Sequence, residues 1–358
     1  MSKSNKFMFR LKAVLKAHTP FFYPEEKGRF SPDYDGEICV ETSMIKNYLN
    51  YIKSMIDINK KLDLKQMEKT FNLLEDEYSK ETYLFVCLYW FFEKSKIRLP
   101  LYYDTNFHNI NKYDYLFIDD TEIKVPNGTL HKYDLNPLNY NIKMIFGNKL
   151  AFIMNFIQEQ YKYRYSDFVA PGDTIIDGGA CYGDTALYFL DKIKGQGQVY
   201  SFEFMEQNLK IFRQNLDLNP QYKDKIEIIE RPITGTSNQK IYAEYNASAS
   251  FATDKKPSGT TNIKEYCSIT IDDFVREKNL EKVDFIKLDI EGYEYEALKA
   301  ASETIKKHNP KLAICIYHKL EDLWIIPNLL KKINPAYKFY LNHSTLNTEE
   351  TVLFARVD

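Results

Sequence analysis

The sequence has no basic excess: 48 Lys and Arg stand against 50 Asp and Glu, for a net charge of −2. Recognition of a phosphate backbone needs a basic face or stripe, so no general nucleic-acid binder is expected. A close pair of cysteines is also lacking. Cys39, Cys87, Cys181, Cys267 and Cys315 lie far apart, which excludes zinc-ligand spacing and a small disulfide framework and suits a reducing cytoplasm. Long apolar runs are missing too. The longest, Tyr83 to Phe92, is ten residues, whereas a membrane span needs about 20. Lys3, Lys6 and Arg10 near the N-terminus are followed by no secretory apolar core. A cytoplasmic protein without a membrane span is therefore expected.

What is present suffices for a full core, with 44% hydrophobic residues, 28 Tyr and 24 Phe. The first hundred or so residues read as mainly helical. Met44 to Ile58 and Leu64 to Leu74 space their apolar residues by three and four, and Ser79 precedes a helix carrying Leu84, Cys87, Leu88, Phe91 and Phe92 on one stripe. Pro100 ends that helix. A turn-rich stretch to Asn148 follows, with a strand candidate at Tyr115 to Ile118, and then a helix over Lys149 to Tyr161.

Beyond Pro171-Gly172 the texture changes. Short apolar runs at Thr174 to Asp177, Gln198 to Glu203, Ile226 to Ile229, Val283 to Asp289 and Leu312 to Tyr317 read as strands. Helical stretches over Thr185 to Ile193, Glu206 to Leu218, Tyr293 to Ala301 and Asp322 to Lys332 separate most of them. Alternation of this kind implies a doubly wound α/β domain whose parallel sheet is covered on both faces. Tyr337 to Leu341 and Thr351 to Val357 have no helix between them and read as a terminal antiparallel hairpin. The expected division is a mainly helical region, 1–148, and an α/β domain, 149–358.

Between the first strand and its helix stands Asp177-Gly178-Gly179-Ala180-Cys181-Tyr182-Gly183-Asp184-Thr185. The dinucleotide fingerprint G-x-G-x-x-G is not met, because Ala180 occupies its third position. An acid at this turn repels pyrophosphate but suits a ligand that presents an ammonium group, as the methionine end of S-adenosylmethionine does. The N–H groups at the helix start, near Asp184 and Thr185, suit that ligand's carboxylate. Glu203, ending the second strand, is placed to accept two ribose hydroxyls. Asp289 and Glu291, ending the fourth, stand where strand order reverses, beside the glycine turn. The blander readings are a bare turn, a solvated Glu203, and Glu291 and Glu294 serving only the next helix N-terminus.

These stretches, with Ile271-Asp272-Asp273-Phe274, Ile316-Tyr317-His318-Lys319 and Asp322-Leu323-Trp324, resemble the FkbM family of S-adenosylmethionine-dependent methyltransferases. The similarity covers residues 171–357, and Ser79 to Pro100, after Asp76-Glu77, resembles a segment upstream of the core in many members. The resemblance implies a Rossmann-like class I methyltransferase sheet, S-adenosylmethionine as cofactor, and methyl transfer commonly to the oxygen of a sugar, polysaccharide precursor or polyketide. Asp177, Gly178, Gly179, Gly183, Asp184, Thr185, Glu203, Phe204 and Asp289 are then the candidate cofactor residues. Phe204 departs from the family, which often has proline there.

His318, at the end of the fifth strand, is the candidate general base, expected as a neutral imidazole at pH 7, with Asp289 and Glu291 beside it. Asp289, Glu291 and His318 also suit a cation, but no metal is expected. Ser248 to Thr261, with Lys255 and Lys256, reads as an acceptor lid or a plain surface loop, and the two lysines suit a nucleotide-linked sugar. The apolar surface of Tyr83 to Phe92 must be covered, by a second copy in a homodimer or by acceptor enclosure. Two rival readings are an adenosylmethionine-binding scaffold without turnover and, less favoured, a nicotinamide-dependent dehydrogenase.

Overall fold

Apolar strands that alternate with amphipathic helices bury both faces of one sheet, and that sheet organises the chain. The computed structural model describes Arg10 and residues 63–91, 110–119, 121–125, 128–147, 149–164, 166, 168–246, 249–254, 263–345 and 349–358. The expected helix Met44 to Ile58, the stop at Pro100, and Lys255 and Lys256 lie outside these residues.

Helices α1 (Leu64–Leu73) and α2 (Glu77–Phe91) come first, followed by a 3₁₀ turn over Ile110–Leu116. Strands β1 (Ile123–Val125), β2 (Gly128–Asp134) and β3 (Lys143–Phe146) form a small antiparallel sheet. Tyr115 to Ile118 is therefore mostly turn rather than strand. Tyr113 and Leu116 are buried while Tyr115 is exposed, a three-residue period that matches a 3₁₀ turn and not strand alternation. Helix α3 (Lys149–Phe152) widens into a π-helix over Ile153–Ile157, so the helix expected to reach Tyr161 stops early.

The main sheet is built from β4 (Thr174–Gly178), β5 (Gln198–Phe202) and β6 (Ile226–Ile229), with α4 (Asp184–Lys192) and α5 (Glu206–Leu218) between them and the short α6 (Pro220–Lys223) before β6. An antiparallel excursion follows, β7 (Lys240–Asn246), β8 (Ala249–Thr253) and β9 (Ile263–Cys267), and then α7 (Ile271–Glu277). Part of the expected lid segment is thus strand. The chain returns through β10 (Phe285–Leu288), the helices α8 (Glu294–Lys299) and α9 (Ser302–His308), β11 (Lys311–Cys315), α10 (Asp322–Ile333), β12 (Lys338–His343) and β13 (Thr351–Arg356).

The seven strands lie in the order β12-β13-β11-β10-β4-β5-β6. All neighbours from β11 to β6 pair parallel, and β13 pairs antiparallel with both β11 and β12, as the expected hairpin requires. The order reverses between β4 and β10, which opens a crevice above their carboxyl ends. Ile176, Ile286, Leu288 and Ile314 join one core face, and Ile175, Phe285, Ala313 and Cys315 the other.

Helices α1 and α2 belong to the first of these cores. Met67, Phe71, Tyr83, Val86 and Cys87 are buried among residues of the main sheet and its helices. The apolar surface for which the sequence asks a cover is, for these side chains, covered by the chain's own domain. A parallel bridge from Leu74 to Phe339 places this segment along the outer strand β12, whose free edge would otherwise invite pairing with another chain. Ser79 does not precede α2 but sits inside it, with its N–H donating to the Asp76 carboxylate at 2.8 Å. Its buried hydroxyl accepts from the Leu341 N–H at 2.9 Å and lies 3.1 Å from the Tyr163 hydroxyl. Ser79→Ala leaves a buried backbone donor unmatched and is expected to cost about 1–3 kcal/mol of unfolding free energy. Urea denaturation checks this, and an unchanged midpoint would contradict the docking role.

Candidate active site

Three neighbouring strands place Ser201, Asp177 and Lys287 in register at their carboxyl ends. Lys287 and Asp177 form an ion pair at 3.3 Å with side chains 1% and 0% exposed. The Lys287 ammonium also donates to the carbonyl oxygens of Gly178, at 3.0 Å, and Gly179, at 2.7 Å. Burial opposes this charge, but Asp177 and Asp289 outweigh it and raise the lysine pKa. Asp177 accepts further from Thr185 at 2.8 Å and from Ser201 at 3.4 Å. The acid expected to meet a ligand's ammonium therefore meets the chain's own, and Asp177 and Thr185 lie under the turn rather than on its open side.

The turn above this pair is shaped by steric limits. Gly179 has φ +77°, and a Cβ there would stand 1.8 Å from the Asp289 carbonyl oxygen. Gly183 has φ +79°, and its Cβ would strike the Phe212 ring at 2.2 Å. Gly178 is closed by Leu288 in the same way, at 2.7 Å. These glycines let β4, β10 and α5 approach closely, whatever else they serve. Asp184, first in α4, is buried and accepts from Asn155 Nδ2 of the π-helix at 2.5 Å. Burial, chiefly, pushes its pKa up to about 7.

On one side of the crevice, Glu203 is 6% exposed. Its Oε1 accepts from the N–H groups of Phe204 and Met205, both at 2.7 Å, and its Oε2 from Asn208 at 3.1 Å. Desolvation raises its pKa against these bonds and one from the Cys181 backbone. Phe204 meets Tyr266 of β9 edge-on, with ring centroids 4.9 Å apart. The excursion β7–β9 thus reaches the rim beside Glu203.

On the other side, Asp289 accepts hydroxyls from Tyr161 at 3.1 Å and Tyr317 at 3.0 Å. Burial opposes its charge, yet Lys287, His318 and the two phenols hold its pKa below the ordinary value. His318 Nε2 lies 3.4 Å from Asp289 and 3.5 Å from Glu291, and Nδ1 lies 3.0 Å from Glu294. Burial lowers the His318 pKa, but Glu294, Asp289 and Glu291 overcome it and raise the value to about 9. The ring is consequently protonated at pH 7, which corrects the expectation of a neutral imidazole. Glu291 is largely exposed, with φ +56°.

The predicted residues thus sort into a buried support (Asp177, Thr185, Asp184), a turn (Gly178, Gly179, Gly183), one rim (Glu203, Phe204) and an opposite rim (Asp289, Glu291, His318). Sequence reasoning assigned no role to Lys287, Tyr161, Asn155 or Glu350. A lysine inside an apolar strand run was a readable signal of a buried partner. The others come from distant segments and carried none. Glu350, before β13, lies 3.5 Å from the Tyr317 hydroxyl, and burial, then Asp289, raises its pKa to about 8.

Residues 177–334 match the family model described as Methyltransferase FkbM domain. Among solved structures, the chain is similar to methyltransferase FkbM from Methylobacillus flagellatus KT, with TM-score 0.51 and 19% identity over 82% of this chain. It spans 58% of that protein's length. Two weaker likenesses are to Aeropyrum pernix fibrillarin with bound S-adenosyl-L-methionine, at TM-score 0.36 and 11% identity over 66% of this chain and 97% of that one, and to a S-adenosylmethionine-dependent O-methyltransferase of Thermotoga maritima, at TM-score 0.35 and 15% identity over 66% and 85%. No curated protein matches the chain. The seven-stranded, mostly parallel sheet is the mixed α/β arrangement that the resemblance implies. Residues 177–334 are an FkbM methyltransferase domain.

The buried Asp184 gives a pH test of this geometry. A carboxyl whose folded pKa is raised contributes stability that is full below its unfolded value and is lost as pH rises through the folded value. Between about pH 4 and 7, the range from its ordinary to its folded pKa, charging Asp184 should weaken the fold. Asp184→Asn keeps an acceptor for Asn155 and cannot ionise. Its unfolding free energy should fall less than that of wild type across this range, and equal slopes would contradict the burial.

Proposed function

We propose that this chain transfers a methyl group from S-adenosylmethionine to a hydroxyl of a sugar-type acceptor. The observation that carries the reading is Asp289, which already holds two phenolic hydroxyls and keeps a side chain 22% exposed toward the crevice. When bound, S-adenosylmethionine supplies a methyl made electrophilic by its sulfonium.

The residues present fit that cofactor. Glu203 is a carboxylate locked by backbone N–H groups at a strand end, where a ribose diol finds an acceptor of fixed geometry. The helix start at Asp184 and the glycine turn suit the amino-acid end. The Phe204 and Tyr266 rings stand beside Glu203, where a purine can lie.

On the acceptor rim, a hydroxyl donating to Asp289 directs a lone pair away from that carboxylate, toward the crevice. Positive charge builds on the acceptor oxygen as it is methylated; the carboxylates of Asp289 and Glu291 stabilise that charge, and Asp289, which accepts the hydroxyl's hydrogen bond, takes its proton as the O–H bond breaks. His318, fixed between Asp289 and Glu294, positions the rim. An acidic rim also disfavours a phosphate at the reacting end, so the phosphates of a nucleotide-linked sugar would lie away from it. The expected cytoplasmic setting accords with such a soluble acceptor.

Methyl-labelled S-adenosylmethionine with a panel of oligosaccharides and nucleotide-sugars, read by mass spectrometry, tests the reaction. Label in none of the panel would overturn the acceptor class. Glu203→Gln should weaken cofactor affinity by roughly 10–100-fold, the worth of about 1.5–3 kcal/mol for a charge-assisted bond. Calorimetry showing wild-type affinity would remove Glu203 from the site. Asp289→Asn should lower turnover by roughly 100-fold or more, as loss of one preorganised electrostatic group does. A fall of less than tenfold in a folded variant would reject its role.

A further inference from the structure

We propose that Asp289, Glu294 and His318 bind one divalent first-row metal cation, Mn2+ or Zn2+, at the acceptor end of the crevice. One ligand atom from each residue lies within 4.8 Å of the others. Glu294 Oε1 lies 3.0 Å from His318 Nδ1, and Asp289 Oδ1 lies 3.4 Å from the opposite ring nitrogen, Nε2. One cation bonds a single ring nitrogen at about 2.0–2.2 Å, with donors roughly 3.0–3.4 Å apart, so one carboxylate must swing to the other's side of the ring as the ion enters.

Two orphaned groups point to the same ligand. Glu294 is 0% exposed, and its Oε2 has no hydrogen-bond partner among the described residues, while its Oε1 accepts from the Ile290 N–H at 2.7 Å. The His318 side chain is 9% exposed, and among the described residues neither ring nitrogen makes an in-line hydrogen bond despite the carboxylates around it. A fully buried carboxylate is costly without compensation, here the protonated His318 ring beside it, and a cation bound at that ring takes the proton's place. The neighbouring ammonium groups are engaged elsewhere. Lys287 is held by Asp177 and two glycine carbonyls, and Lys319 donates to the Gly292 carbonyl oxygen. Asp322, Glu291 and Glu350 also stand near the ring, and burial, chiefly, raises the pKa of each above its ordinary value.

An imidazole with two carboxylates is too nitrogen-rich for a Ca2+ cage and too hard for Cu+. Three protein ligands leave coordination positions open, and the partly exposed Asp289 side places them toward the crevice. An acceptor hydroxyl bound there would lose its proton more readily. That catalytic use rests on the methyl-transfer reading; the binding of the cation does not.

The test titrates Mn2+ into metal-stripped full-length protein without methyl donor or acceptor, following the free-ion paramagnetic resonance signal. The expected result is loss of signal at one ion per chain, reversed by Zn2+. His318→Gln and Glu294→Gln should each weaken binding at least tenfold; His318→Gln spares the Glu294 cap on Ile290 if the other variant fails to fold. An undiminished signal with wild type at millimolar Mn2+, or wild-type binding by the folded His318→Gln variant, would overturn the site. Protein that binds Mn2+ but methylates nothing keeps the site and loses the methyl-transfer reading. Full turnover in metal-stripped protein that ignores Mn2+ does the reverse.

Discussion

The ion pair between Lys287 and Asp177 is the constraint on which the crevice depends. Its partners are fully buried on adjacent strands, and removing either would strand the other's charge, a loss of about 3–5 kcal/mol. The same ammonium holds the carbonyls of Gly178 and Gly179, so one charge ties the two strands and the glycine turn together. Gly179 can then pack against the Asp289 backbone at a distance no side chain would permit.

From this floor the two rims acquire different chemistry. Glu203 is surrounded by donors that the chain itself supplies, and its role is to hold a fixed acceptor geometry. Asp289 is surrounded by hydroxyls, a histidine and further carboxylates, an arrangement that draws in protons, hydroxyls and cations. Lys287 touches both halves, pairing with Asp177 below the turn and lowering the pKa of Asp289 above it. An interaction that stabilises the fold thereby also tunes the rim.

The surrounding elements serve that arrangement. Asp272, within a motif shared with the resembled family, accepts the N–H groups of Glu303 and Thr304 and so caps α9. Asn155 reaches Asp184 because α3 widens into a π-helix, an irregularity often found at functional sites. Helices α1 and α2 close one core face and the outer strand.

The sequence by itself determined the strand-helix alternation, the terminal hairpin, the glycine turn and the acids at the strand ends, because periodicity and turn chemistry are local. It also placed Glu203, Asp289 and His318 near strand ends on one edge of the sheet, since that edge is set by topology. It misjudged Tyr115 to Ile118 and the length of the helix after Lys149, where tertiary burial overrode local pattern. Only the folded chain decided what each acid does. Asp177 is consumed by Lys287, 110 residues away in sequence, while Glu294, readable as a helix-start acid, turns inward against His318. A pKa is the sum of burial and neighbours, and those neighbours come from segments that meet only when the sheet is assembled.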